Sequence, residues 1–225
     1  MVLNALGEVL GEAVGILVSP LPVVAVILML FTARGKVNSL AFLVGWVAGL
    51  AVVGAIVLSV SDAADVSTDS DASDGSGVVL VVVGVLLILA AIRRWRQRPR
   101  PGEVATPPRW MSRIDGLRPV AALLLGILLS ALNPKNLLLA VAAAVTIGQA
   151  GLSTGDEVVT WAIFVLVASL SILAPVLYRV IRGERAQATL DGARSWLEAN
   201  NAVVMAVVFL VIGAKVLGNG LSTLS

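Results

Sequence analysis

Gly15-Ile16-Leu17-Val18-Ser19-Pro20-Leu21 in the first apolar stretch returns as Gly126-Ile127-Leu128-Leu129-Ser130-Ala131-Leu132 in a later one, identical at five of seven positions. Each copy runs into proline at once, Pro22 after the first and Asn133-Pro134 after the second. Proline inside a helix removes a backbone donor and collides with the preceding turn. The pattern therefore predicts two long apolar helices, each interrupted at a matching point, around Ser19 to Pro22 and Ala131 to Pro134.

The composition says what surrounds these helices. Of 225 residues, 58% are hydrophobic and 13% charged, against roughly half apolar and a quarter charged in a soluble domain. Apolar runs near the length needed to cross a bilayer recur throughout. They predict an all-α integral membrane protein with spans at about Leu3 to Phe31, Leu40 to Val60, Val78 to Ile92, Val120 to Ile147, Val158 to Ile181 and Ala202 to Leu217. The first stretch carries Glu8 and Glu12 and is too long for a signal-peptide core, so it is read as a span. The third is short, with Gly75 and Gly77 before it as an interfacial start and Trp95 after it as an anchor. Each repeated segment opens a group of three spans. An odd number of crossings makes the second group enter from the opposite face, so the two repeats are inverted. The chain divides into a first three-helix repeat (1–92), a basic cytoplasmic loop (93–118) and a second three-helix repeat (119–225).

Charge sets the orientation. Residues 61–77 hold Asp62, Asp65, Asp69, Asp71 and Asp74 with no basic residue, and read as a solvated external tether. Its spacing lacks the glycine and terminal glutamate of a helix-loop-helix calcium site. Arg93, Arg94, Arg96, Arg98, Arg100, Arg109, Arg113 and Arg118 crowd the next connection, which the positive-inside rule places in the cytoplasm. Alternating crossings then put Arg34, Lys36, Arg179, Arg182, Arg185 and Arg194 inside and both termini outside. The location implied is the plasma (inner) membrane. Topology accounts for the arginines, so no nucleic-acid partner is expected; anionic headgroups beside the loop are the alternative reading.

Without cysteine or histidine, disulfides, thiol redox chemistry and imidazole metal ligands are closed off. No paired carboxylates at membrane depth offer acid–base chemistry. The expectation is a protein that is not an enzyme and has no catalytic residues, metal or cofactor. Inverted halves with broken helices in matching positions point instead to a transport site near the midplane. Carbonyls freed by a break are tolerated there only if protein or a water-filled cavity satisfies them. Asn133 is suited to cap a new half-helix with Pro134 as its first residue, and such an N-terminus favours an anion. Simple kinking for packing is the competing reading of the prolines. The polar run Asn133-Pro134-Lys135-Asn136 and a lysine inside an apolar segment favour function. The candidate substrate-binding residues are Ser19, Pro20, Pro22, Ser130, Asn133, Pro134, Lys135 and Asn136. Lys135 either contacts substrate or snorkels to an interface.

Lys215, near the end of the last span, shares the outer surface with Glu8 and Glu12. Either it pairs with one of the carboxylates as a structural lock, or all three are hydrated at the surface, the reading preferred here. Gly45 and Gly49 place small residues four apart, a pattern that permits close helix approach within the bundle. The sequence is also compatible with a homodimer.

Ser19-Pro20-Leu21-Pro22, Ala33-Arg34-Gly35, Phe42-Leu43-Val44-Gly45-Trp46-Val47-Ala48-Gly49-Leu50 and Asn133-Pro134-Lys135-Asn136-Leu137-Leu138-Leu139-Ala140 together resemble the GAP family. These are the glycopeptidolipid- or sulfolipid-addressing proteins of actinobacteria, within the lysine exporter (LysE) superfamily. The resemblance covers nearly the whole chain. It implies a six-helix inner-membrane protein of two inverted repeats that helps move a cell-envelope glycolipid outward, with the break motifs at Ser19, Pro20, Pro22, Asn133, Pro134 and Lys135. The chain lacks the intramembrane cysteines of the superfamily's thiol-redox branches and the carboxylates expected of its metal exporters. The leading expectation is a transporter of an anionic lipid or glycolipid. An exporter of amino acids or other small solutes remains open, as does a non-transporting scaffold that gathers lipid-synthesis partners at the basic loop.

Overall fold

The computed structural model describes residues 1–67, 71–97, 114 and 116–224, with the backbone alone for 61–67 and 71–76. The described residues contain no strand. The order is α1 (Val2–Leu17), α2 (Pro20–Leu30), α3 (Gly35–Ser67), α4 (Asp71–Arg96), α5 (Pro119–Ile127), a π turn (Leu128–Leu132), α6 (Pro134–Gly148), α7 (Thr154–Arg182), a short 3-10 turn (Gly183–Ala186) and α8 (Gln187–Thr223). Gly35–Val60, Gly77–Arg96 and Thr154–Thr223 are long and apolar enough to cross a membrane. The last of these holds two helices, since Gly183 at φ 58° ends α7 before α8 begins. The pairs α1–α2 and α5–α6 pass the same test when each is taken as one span bent at its break, by 53° and 60°.

Both breaks fall where proline demands. Ser19 and Asn133 are extended N-caps, and Pro20 and Pro134 open the helices that follow. Proline is accepted at a first helical position because the donor it lacks would be unpaired there anyway.

The acidic tether is corrected. Helix α3 runs on to Ser67 and α4 starts at Asp71, so Asp62, Asp65, Asp71 and Asp74 lie on helical backbone, and Asp69 lies outside the described residues. Ala63 and Ala64 favour continuation. Gly75 and Gly77 are inside α4, and Gly77 packs on Leu224 and the Gly220 carbonyl of α8. At the other end α4 carries Arg93, Arg94 and Arg96 in its last turn. Arg98, Arg100, Arg109 and Arg113 lie outside the described residues, and Arg118 caps α5.

Small residues set how closely the helices approach. A Cβ on Gly45 would meet the Leu123 carbonyl of α5, and one on Gly126 would meet the Phe42 carbonyl and Trp46 nitrogen of α3. Gly49 faces Ser130, and Gly54 takes the Trp161 ring of α7. The glycine pair of α3 thus packs inside the bundle. Gly84, Gly213 and Gly220 do the same between α4 and α8.

The two ends of the bundle differ in charge. One gathers the start of α1, Leu80 of α4 and the ends of α6 and α8 around a cavity of about 510 Å³. Glu8 lines it, and Asp156 and Glu157 lie in the first turn of α7, which follows α6 after a short connection. The other end carries the arginines of α4 together with Arg179 and Arg182. There the Arg179 guanidinium lies 5.1 Å from the centre of the Phe31 ring and pairs with Glu184, tying the end of α2 to the α7–α8 turn.

Candidate functional site

The geometry of the first break follows from a missing hydrogen. In an unbroken helix Ile16 would accept from the N–H of residue 20, but Pro20 has none. The Ser19 N–H bonds Ile16 instead, at 3.0 Å. Gly15, whose helical partner would have been that same N–H, is left with a free carbonyl. Lys135 fills the gap: its Nζ donates to the Gly15 carbonyl oxygen at 2.7 Å, across 120 residues of sequence. The carbonyl end of α1 also carries the negative pole of the helix, which a cation complements.

The second break is resolved in a related way. In the π turn the partner of the Leu129 carbonyl, five residues on, is Pro134, which again has no N–H. The side-chain amide of Asn136 donates to Leu129 O at 2.8 Å. Its oxygen accepts from Ser19 Oγ at 3.0 Å, and this buried bond joins the two breaks directly. Asn133 caps α6 by accepting from the Lys135 N–H at 3.2 Å.

Ser19, Lys135 and Asn136 therefore meet at one buried junction, with Lys135 9% exposed. The end of the lysine is taken up by the Gly15 carbonyl inside the bundle. Pro20 and Pro22 are buried beside the junction, Asn133 is half-buried and Pro134 is exposed. Ser130 is not brought in; its hydroxyl donates to Ile127 O at 3.2 Å and faces Gly49. Among the described residues Lys135 has no carboxylate within ion-pair distance. The described residues hold no group of side chains suited to a metal ion.

Toward the other end, α1 carries a second contact, between a half-buried lysine and a buried carboxylate. Lys215 Nζ donates to both carboxylate oxygens of Glu12, at 3.2 and 3.1 Å. Glu12 is 1% exposed, so the hydrated reading is corrected for it, while Glu8 is exposed. Burial is tolerated because both oxygens are engaged by a cation. A profile of one protein family, described as SfLAP (Sap, sulfolipid-1-addressing protein), matches residues 9–222. The chain belongs to the sulfolipid-1-addressing protein family. Among curated proteins and among solved structures, none matches it.

In this SfLAP protein the match runs from Val9 to Ser222 and so takes in both breaks, Lys135, Glu12 and Lys215. The sequence marked the breaks through proline and the lysine through its apolar setting. It gave Asn136 no distinct role and ranked the Glu12–Lys215 contact second, because residues 117 and 203 positions apart meet only in the fold. Asn136 is the clasp of the SfLAP junction. Asn136→Leu leaves the Leu129 carbonyl and the Ser19 hydroxyl unpaired, and one buried unpaired group costs about 1–3 kcal/mol. The expected result in a detergent unfolding titration is a loss within or above that range, with Ser19→Ala costing less, since it leaves the bond to Leu129 intact.

Proposed function

We propose that this chain crosses the plasma membrane six times as two inverted three-helix repeats and moves an anionic lipid or glycolipid outward, without catalytic chemistry of its own. The α1–α2 and α5–α6 pairs each count as one broken span, and α3, α4, α7 and α8 as four continuous ones. The basic end faces the cytoplasm by the positive-inside rule, with both termini outside.

One observation carries the reading: the buried Lys135 amine donates to the Gly15 backbone carbonyl and, among the described residues, has no carboxylate within ion-pair distance. A lysine in an apolar bundle costs a few kcal/mol on insertion scales. A purely structural role for it would be served as well by a neutral donor. An acidic headgroup arriving from the basic end meets the exposed Arg94 and then Lys135, and its charge offsets the cost of burying the lysine. The family's description names a sulfolipid, a lipid with an acidic headgroup, which agrees with that demand.

The test compares outer-envelope lipids of cells with and without the protein, alongside export assays with labelled amino acids. The expected result is loss of an acidic lipid from the outer layer with amino-acid export unchanged. Unaltered lipids with impaired amino-acid export would assign the protein to small solutes. Deleting residues 97–108 separates transport from scaffolding, because a scaffold would lose function there while tolerating Pro22→Ala and Pro134→Ala.

A further inference from the structure

We propose that Glu12 is a proton-binding site loaded from the cavity at the acidic end of the bundle, and that Lys215 exchanges between Glu12 and Glu8 as the proton comes and goes. Asn4, Glu8, Glu12 and Gly15 follow at spacings of four, four and three, which places them along one face of α1. Asn4 and Glu8 line the cavity of about 510 Å³, together with Thr146, Gln149, Lys215 and Asn219. Glu12 lies one turn deeper and is buried, yet its partner Lys215 keeps 35% of its side chain exposed. The lysine is thus in the cavity and on the buried carboxylate at once.

The track between the two carboxylates is bare. Gly11 stands between them, and a Cβ there would lie 4.0 Å from both Cδ and Nζ of Lys215. The lysine therefore lies over the glycine with Glu8 one turn to one side and Glu12 to the other. The elements around Glu12 bring few competing charges. Helix α7 offers Ile163, Phe164 and Val167 along this stretch, with Asp156 and Glu157 about two turns nearer its start and Asp156 tied to Ser153. Helix α6 brings Leu139 against Gly15, then Lys135 on the Gly15 carbonyl. Lys215 is the side chain that holds the Glu12 charge by hydrogen bonds, beside the helix backbone itself.

The step balances simply. A hydronium ion in the cavity gives its proton to the Glu12 carboxylate, leaving water and a neutral carboxyl. Lys215 keeps all its protons and pairs with Glu8. Release reverses each move. Gly15 lies three residues beyond Glu12, so unlocking α1 from α8 acts one turn from the carbonyl that holds Lys135. The inference rests on the transport reading only for its use: a proton moving down its gradient is a driving force for export.

The test needs no lipid substrate. The full chain in liposomes is titrated over about pH 5 to 8, the range of ordinary proton gradients, while infrared difference spectra follow the carbonyl stretch of protonated carboxyls. The expected result is a band that titrates within this window, disappears in Glu12→Gln, and shifts its midpoint by about one unit or more in Lys215→Met, as removal of an adjacent charge requires. Should Glu12→Gln not fold, Glu12→Asp moves the same band to the aspartic frequency. A spectrum with no band sensitive to either substitution, or one unchanged across the window, would overturn the proposal and leave the pair as a static lock. The result is independent of Lys135, so failure here and failure of the lipid reading are told apart.

Discussion

Lys135→Met is expected to cut outward lipid movement by roughly tenfold to a hundredfold, the effect of losing a charged hydrogen bond of about 1.5–3 kcal/mol to the headgroup, in a protein that still folds. The physical argument separates function from stability. Methionine keeps most of the length and apolar stem of lysine and removes the charge. What the fold loses is one bond to the Gly15 carbonyl. What it gains is relief from desolvating an ammonium group, and replacing buried charge by apolar volume is often neutral or stabilising. The unfolding midpoint of the purified variant is therefore expected near or above that of the parent. Transport measured by lipid extraction from reconstituted vesicles should be largely gone. A drop in both together would make Lys135 a structural pin.

The second large effect concerns how closely α3 and α5 approach. Gly126→Ala adds one methyl group, and in an exposed helix that change is favourable by about 1 kcal/mol. Here the new Cβ runs into the Phe42 carbonyl and the Trp46 nitrogen. Those atoms are backbone, so no side-chain rotation relieves the collision and the helices must separate. Overpacking of this kind costs about 1–3 kcal/mol or more, which outweighs the propensity gain. The expected outcome is a clear fall in detergent stability for Gly126→Ala. Gly218→Ala is the matched control, because a Cβ at Gly218 meets nothing within 4 Å. It should be neutral or slightly stabilising.

The repeat Gly15–Leu21 and Gly126–Leu132, with its prolines, located both breaks to within a residue or two, because a missing N–H is a local fact. Asn133 and Pro134 fell into cap and first-turn positions for the same reason. The ends of α3 and α4 were missed because a run of aspartates looks solvated whether or not its backbone is helical. The π turn at Leu128–Leu132 left no mark in composition, since it depends on how α5 meets α6. Gly15, Ser19, Lys135 and Asn136 were visible one at a time, but their pairing depends on two breaks meeting in space. The lesson of the junction is that proline frees particular carbonyls, here Gly15 and Leu129, and that Lys135 and Asn136 are the side chains that answer them.

The most direct measurement is a structure of the protein in nanodiscs containing an acidic glycolipid, determined by electron cryomicroscopy. The account predicts headgroup density within hydrogen-bond distance of Lys135 Nζ, beside Gly15 and Asn136, with both broken helices bent as described. Continuous rods in place of α1–α2 and α5–α6, or Lys135 in bulk water with acidic lipid confined to the arginine-rich end, would contradict it.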